Sequence, residues 1–201
     1  MKKLFLALIL FLSMTNAYAA TPADAEKFAK SIADQLVADV MQSKAPVEQK
    51  RIRFEEIFVT NADMDMIVRF VLGRSFKSAP PEKISEFKTV FIENFVLTWA
   101  DRFNSYSGES VTFTNVRQNK NEFWTTSQIN IPGTEKPIDV LWRLREKNGV
   151  IKVVDLVAEG VSMLQNYRNE YASVLQQNNG DVSALIRQLE KKNASLTKTD
   201  K

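Results

Sequence analysis

Two residues stand where this chain could do chemistry, Ser162 and Asp155. Ser162 follows a glycine in Gly160-Val161-Ser162-Met163 at a bend from strand-like to helix-like sequence. That is how the Gly-x-Ser-x-Gly elbow of hydrolases begins, where a serine oxygen attacks an acyl carbon. The pattern stops at Leu164, where its second glycine belongs. The 201 residues include no histidine, so the commonest general base is missing and only a lysine could activate the serine. No Ser-x-x-Lys pattern surrounds Ser162. The same serine stands three residues before Gln165 at a helix start, the spacing of a capping box, with serine accepting from the N3 amide and glutamine reaching back to the cap. Asp155 interrupts the apolar run "VIKVVDLVA". A carboxylate there is either a base, as on the curved sheets of ketosteroid-isomerase-like enzymes, or half of an ion pair, for which Arg168 on the following helix is the expected partner. Asp63 and Asp65 stand at a helix start, where the dipole favours acids, and are not read as metal ligands. No metal or cofactor is expected.

The N-terminus reads as a targeting segment. Met1-Lys2-Lys3 precedes an apolar run over residues 4–12, and Ala17-Tyr18-Ala19 offers the small-x-small pattern of a cleavage site. Residues 1–19 are expected to be a signal peptide, and 20–201 a single domain. No later stretch approaches the roughly 20 apolar residues of a membrane-spanning helix. The absence of cysteine rules out disulfides and a lipidated cysteine, so the expected location is the periplasm. Without Lys2 and Lys3 the chain has 25 basic residues against 24 acidic ones, too even a balance for a nucleic-acid binder.

Helical periodicity fills residues 21–106 and a period of two follows, which predicts an α+β fold with a helical half at about 20–106 and a sheet with C-terminal helices at about 107–193. Thr21, Pro22 and Asp24 form a helix start, and Phe28, Ile32, Leu36 and Val40 share one face before a stop at Pro46. Further helices are predicted at 47–58, at 63–72 with Gly73 as its cap, and at 81–103. The last carries Phe87, Phe91, Phe95, Trp99 and Phe103 four apart, a ridge of rings that either packs as core or lines a cavity. Four strands should form an antiparallel meander: one begun by Val111 and Phe113, one at 123–131, one at 138–144, one at 150–158. Asn148-Gly149 is a type I′ hairpin signal between the last two. The final strand, apolar on both faces except for Lys152 and Asp155, should be covered on two sides. A helix at 162–177, a stop at Asn179-Gly180, a short last helix capped by Asp181 and a frayed tail after Asn193 complete the reading.

The stretch "LGRSFKSAPPEKISEF", the Tyr106-Ser107-Gly108-Glu109 run, and above all "VVDLVAEGVSM" followed by "NYR" resemble the MlaC, or toluene-tolerance, family of periplasmic phospholipid-binding proteins. The likeness runs in order along nearly the whole chain after residue 19, and the Asp-x-x-x-Glu-Gly-Val-Ser run is its most specific part. Ile151 and Trp99 depart from the tryptophan and tyrosine frequent at those places in the family. The resemblance implies a non-enzymatic soluble shuttle with a cone-like lipid pocket. Its partners would be phospholipid, an outer-membrane lipoprotein-porin complex and an inner-membrane MCE-domain ABC transporter, and its task the asymmetry of outer-membrane lipid. A related branch is associated with hopanoids, and an isomerase or hydrolase using Asp155 is the alternative of a different class. Two acyl chains of about 30 methylenes cost on the order of 20 kcal/mol to expose, at roughly 0.8 kcal/mol each, so a lipid crossing water needs an enclosed apolar wall. From the implied fold, that wall is expected to comprise Phe91, Phe95 and Trp99 facing Ile138, Val140 and Trp142, with Leu72 beside them and Val161 and Leu164 at the rim.

Overall fold

The computed structural model describes residues 20–100 and 106–199, so the signal-peptide reading of 1–19 and the position of Phe103 lie outside the described residues. Thr21 caps helix α1 (Pro22–Gln35) with a full capping box: its Oγ1 accepts from the Asp24 amide at 3.2 Å, while Asp24 Oδ2 accepts from the Thr21 amide at 2.9 Å. The Thr21 hydroxyl, donating to the same carboxylate, holds Asp24 below the usual carboxylate range. The helix then loosens into one π-helical stretch, Leu36–Met41. Helix α2 (Val47–Asn61) runs past its expected end at residue 58. Asp63 caps α3 (Met64–Leu72), accepting from the Met66 amide at 3.1 Å, and Gly73 ends it with φ +56°. The short α4 (Ser75–Ser78) leads into α5 (Pro81–Ala100).

The sheet is an antiparallel meander, β1 (Ser110–Asn119), β2 (Glu122–Asn130), β3 (Ile138–Lys147) and β4 (Val150–Ala158), and it carries a fifth strand the sequence reading lacked, β5 (Val161–Ser162). This strand turns back through Glu159-Gly160, both at positive φ (49° and 79°), and pairs with Val157 and Ala158. Glutamate is not a turn residue by preference, which hid the hairpin. Here the Glu159 amide donates to the Asp139 carbonyl at 3.0 Å, and the Asp139 amide donates to Glu159 Oε1 at 2.9 Å, so the conformation is held from the neighbouring strand. A bulge between Phe113 and Asn115 bends β1, with Thr125 Oγ1 donating to the Asn115 carbonyl at 3.0 Å. Asn148-Gly149 forms the expected turn, with φ of 55° and 78°.

Apolar burial divides into two clusters. On the inner face of the sheet, Ala25, Ala29 and Ala33 of α1, which packs on β1 and β2, share one cluster with Phe123, Val140, Trp142 and Leu144. Three alanines along one face let the helix axis approach the sheet closely, and the large side chains come from the strands. The second cluster joins α3 and α5 to α6 (Met163–Gln177) and α7 (Val182–Thr199). Strand β4 links the two halves: Ala62 bridges Val153, the Asp63 amide donates to the Val153 carbonyl at 2.9 Å, and Lys152 Nζ donates to the Thr60 carbonyl.

The last helix is neither short nor frayed at Asn193. It lies along α5, where Asn94 Nδ2 donates to Asn193 Oδ1 at 2.7 Å, and Asn193 donates to the Val90 carbonyl and to Glu93. Polar composition suggested a loose tail, but this amide pair is buried and keeps the helix seated. No helix among the described residues is long and apolar enough to cross a membrane.

Tyr171 sits edge-on to Phe87 and Phe91 in the helical cluster, and its hydroxyl has no partner there. Burial pushes its phenol far above the ordinary range, so it stays neutral. An unsatisfied buried hydroxyl costs about 1–3 kcal/mol, so Tyr171→Phe is expected to keep or raise stability in denaturant melts. A loss of more than about 1 kcal/mol would mean that the hydroxyl is satisfied in solution.

Candidate functional site

Asp155, within the apolar strand β4, is only 5% exposed, and every contact it makes is structural. Its Oδ1 accepts from the Leu164 amide at 3.1 Å and its Oδ2 from the Ser162 hydroxyl at 2.6 Å. Ser162 Oγ accepts in turn from the Gln165 amide at 3.0 Å. Serine and aspartate together therefore satisfy two of the first-turn amides of α6, and the carboxylate meets the positive end of the helix dipole. The serine is the cap that its spacing predicted, with its hydroxyl proton given to Asp155 and not poised for attack. One half of the predicted box is replaced: Gln165 Nε2 reaches Asn169 Oδ1 at 2.8 Å instead of turning back to the cap.

The expected ion pair between Asp155 and Arg168 does not form. Arg143, opposite Asp155 in the β3–β4 register, lies 3.5 Å from the carboxylate. Arg168 instead stacks 4.8 Å over the Phe70 ring and donates to the Phe70 carbonyl at 3.2 Å. Cross-strand partners share a face and alternate residues oppose it, so Asp155 and Arg143 point away from the side carrying Trp142 and its partner Leu156. A base directed at an apolar substrate against Trp142 would need the other face.

The expected lipid wall is distributed over both clusters. Leu72, Phe91 and Leu164 belong to the helical cluster; Val140 and Trp142, with Ile138 packed beside them, belong to the sheet cluster. Phe95 stands where they meet, stacked 4.1 Å from Phe58 and 5.8 Å from Phe54, and within 6.1 Å of both Trp99 and Tyr167, centroid to centroid. Val161 is 52% exposed on β5. Phe54, Phe58 and Tyr167 were absent from the sequence reading, although Phe54 and Phe58, four apart on α2, carried the same signal as the α5 ridge. Trp142 Nε1 donates to Ser127 Oγ at 2.9 Å, which lets the indole lie in an apolar face with its one donor satisfied.

The Asp-x-x-x-Glu-Gly-Val-Ser run is thus a joint: Asp155 and Ser162 cap α6, Glu159 is clasped by Asp139, and Gly160 takes the second positive φ of the turn. The model of the MlaC protein family matches residues 20–191. The chain belongs to the MlaC family. Among relatives, the intermembrane phospholipid transport system binding protein MlaC of Haemophilus influenzae is 23% identical over 166 residues, covering 79% of this chain and 77% of that protein. Among solved structures, a phospholipid-binding protein from Ralstonia solanacearum, in complex with a phospholipid, superposes with a TM-score of 0.77 at 21% identity, over 86% of this chain and 98% of that one. The latter likeness establishes a shared fold. In this MlaC-family chain, the joint gives Asp155, Glu159, Gly160 and Ser162 each a particular bond or dihedral angle to satisfy.

Ser162→Ala is expected to lower stability by about 0.5–2 kcal/mol, the usual loss of an N-cap. Asp155→Ala should cost more, because it strips the Leu164 amide and Arg143 of a charged partner at once. Denaturant melts of both variants, read beside the intact chain, test the order. A serine-directed phosphonate that labels the intact protein would contradict the capping assignment.

Proposed function

We propose that this protein carries phospholipid through the periplasm, sheltering acyl chains between its two apolar clusters, and that it does so without catalysis. The reading rests on one observation above the others: in a chain of the MlaC family, the helical and sheet clusters meet along a file of rings centred on Phe95. Rings stacked on one another can part and close on an acyl chain at the expense of ring–ring contacts, whereas parting the alanine face of α1 from β1 and β2 would break close packing. The wall proposed is Phe91, Phe95 and Trp99 on one side and Ile138, Val140 and Trp142 on the other, with Leu72 behind, and Leu164 and the exposed Val161 at the rim. Phospholipid as cargo is favoured by the phospholipid transport system to which the Haemophilus protein belongs and by the phospholipid bound in the Ralstonia structure.

A shuttle needs a donor and an acceptor. The partners proposed are an outer-membrane lipoprotein-porin complex and an inner-membrane MCE-domain ABC transporter, each engaged briefly, with outer-membrane lipid asymmetry as the outcome. Against the isomerase or hydrolase alternative stands the Asp155 carboxylate, turned away from the Trp142 face and occupied by three partners. Mass spectrometry of an organic extract from the purified protein tests the cargo: stoichiometric phospholipid supports the reading, a hopanoid would change the cargo class, and an empty protein that takes up nothing from vesicles would sink it.

Val140→Asp should sharply reduce phospholipid loading while circular dichroism stays unchanged, because a carboxylate facing acyl chains is desolvated without a partner. Full loading, or wholesale unfolding, would remove that face of β3 from the wall. Pull-downs at several concentrations should find short-lived complexes with both membranes' assemblies; a permanent complex with one of them would oppose shuttling.

A further inference from the structure

Four basic side chains gather in a cleft of about 430 Å³ between α3 and α6: Arg69, Arg74, Lys77 and Arg168. None of the four makes an ion pair among the described residues. Elsewhere on the surface some cations are matched, Arg53 to Asp39 and Glu56, Lys88 to Asp65 and Lys192 to Glu170, and others such as Lys136 and Lys191 make no ion pair among the described residues but do not share one cleft. Asp65, the acid whose charge Arg69 feels, is taken by Lys88 at 2.8 Å. In a chain with nearly balanced charge, four cations without ion pairs around one hollow repel each other, and the acid that Arg69 feels is already engaged. The C-terminal dipole of α3 accounts in part for Arg69 and Arg74 but not for Arg168, which sits in the first half of α6, at the wrong end of that helix.

The guanidinium groups are also held in place. Arg69 lies 5.0 Å over the Phe76 ring, and Arg168 is fixed by the Phe70 ring and carbonyl. Gly73 leaves room for it, since a Cβ there would come 3.4 Å from Arg168 Nη2. Stacked arginines lose little freedom on binding, and their forked donors match the oxygens of phosphate.

We infer that this cleft binds a phosphate-class anion, with Arg69, Arg74 and Arg168 as directional donors and Lys77 as an added charge. The group could be the phosphate of a lipid headgroup at a bilayer surface or a free phosphate. The site stands on its own side chains and does not depend on acyl chains entering at Phe95.

Two titrations of the purified protein test it: amide NMR shifts against inorganic phosphate, and co-sedimentation with phosphatidylcholine vesicles with and without phosphatidylglycerol. Phosphate should move the amides around residues 69–77 and 168 saturably. The double variant Arg74→Gln, Lys77→Gln alters two exposed side chains that make no hydrogen bond or ion pair among the described residues, so folding should be kept. It should weaken binding by about fivefold for each cation removed. Lys136→Gln with Lys191→Gln removes the same charge from exposed positions elsewhere and should leave binding nearly intact. Binding to phosphatidylglycerol vesicles as well as phosphate would assign the headgroup as source; phosphate shifts without vesicle binding would assign a soluble phosphate. Equal losses in both double variants, no saturable shift, or a response to polyglutamate but not to phosphate would overturn the inference.

Discussion

The carboxylate of Asp155, placed within β4, meets an arginine of β3, the first-turn amide of Leu164 and the hydroxyl that caps α6, and so ties the start of α6 to the sheet. A charge buried in this way is tolerable because it is met by two hydrogen-bond donors and a guanidinium. The β5 turn delivers Ser162 to it, and the Glu159–Asp139 clasp holds that turn. If the carboxylate were elsewhere on β4 by one residue, it would face Trp142 and the apolar side of the sheet, where nothing could satisfy it.

Around this joint the chain divides its apolar surface unequally. The α1–sheet contact is built from alanine against large strand side chains, a close fit with little to yield. The contact centred on Phe95 is built from rings meeting rings, with stacked and tilted pairs side by side. Proteins that must open for a guest and remain folded need both kinds of contact, one that stays shut and one whose partners can exchange ring for acyl chain at small net loss. The buried Asn94–Asn193 pair adds a third constraint by keeping α7 in register along α5, behind the rings, since sliding the helix would leave both amides unpaired.

The cationic cleft lies on the α3–α6 side, where Gly73 and Arg168 touch. These two belong to the stretches "LGRSF" and "NYR", far apart in the chain and joined only by packing. A site for phosphate here would place an anion near the same helices that hold the aromatic file, though through different side chains.

What the residues determined unaided was whatever depends on neighbours in the chain. Thr21 with Asp24, Asp63 before α3, Ser162 before α6 and Asn148-Gly149 are local hydrogen-bond and dihedral requirements, and the four long strands follow from alternation or, for β4, from a short apolar run, so all were legible, as was the family through the Asp155 to Ser162 run. The hairpin at Glu159 was not, because a glutamate takes positive φ only when another strand clasps it. Nor could the partner of Asp155 be read: Arg143 and Arg168 stand at nearly equal distances along the chain, but register places Arg143 opposite and packing sends Arg168 to Phe70. The persistence of α7 past Asn193 and the meeting of Phe54, Phe58 and Phe95 were likewise decided by tertiary structure. Side-chain pairing between distant segments depends on how whole elements pack, and a pattern of periods and caps specifies each element's faces without saying which face will meet which.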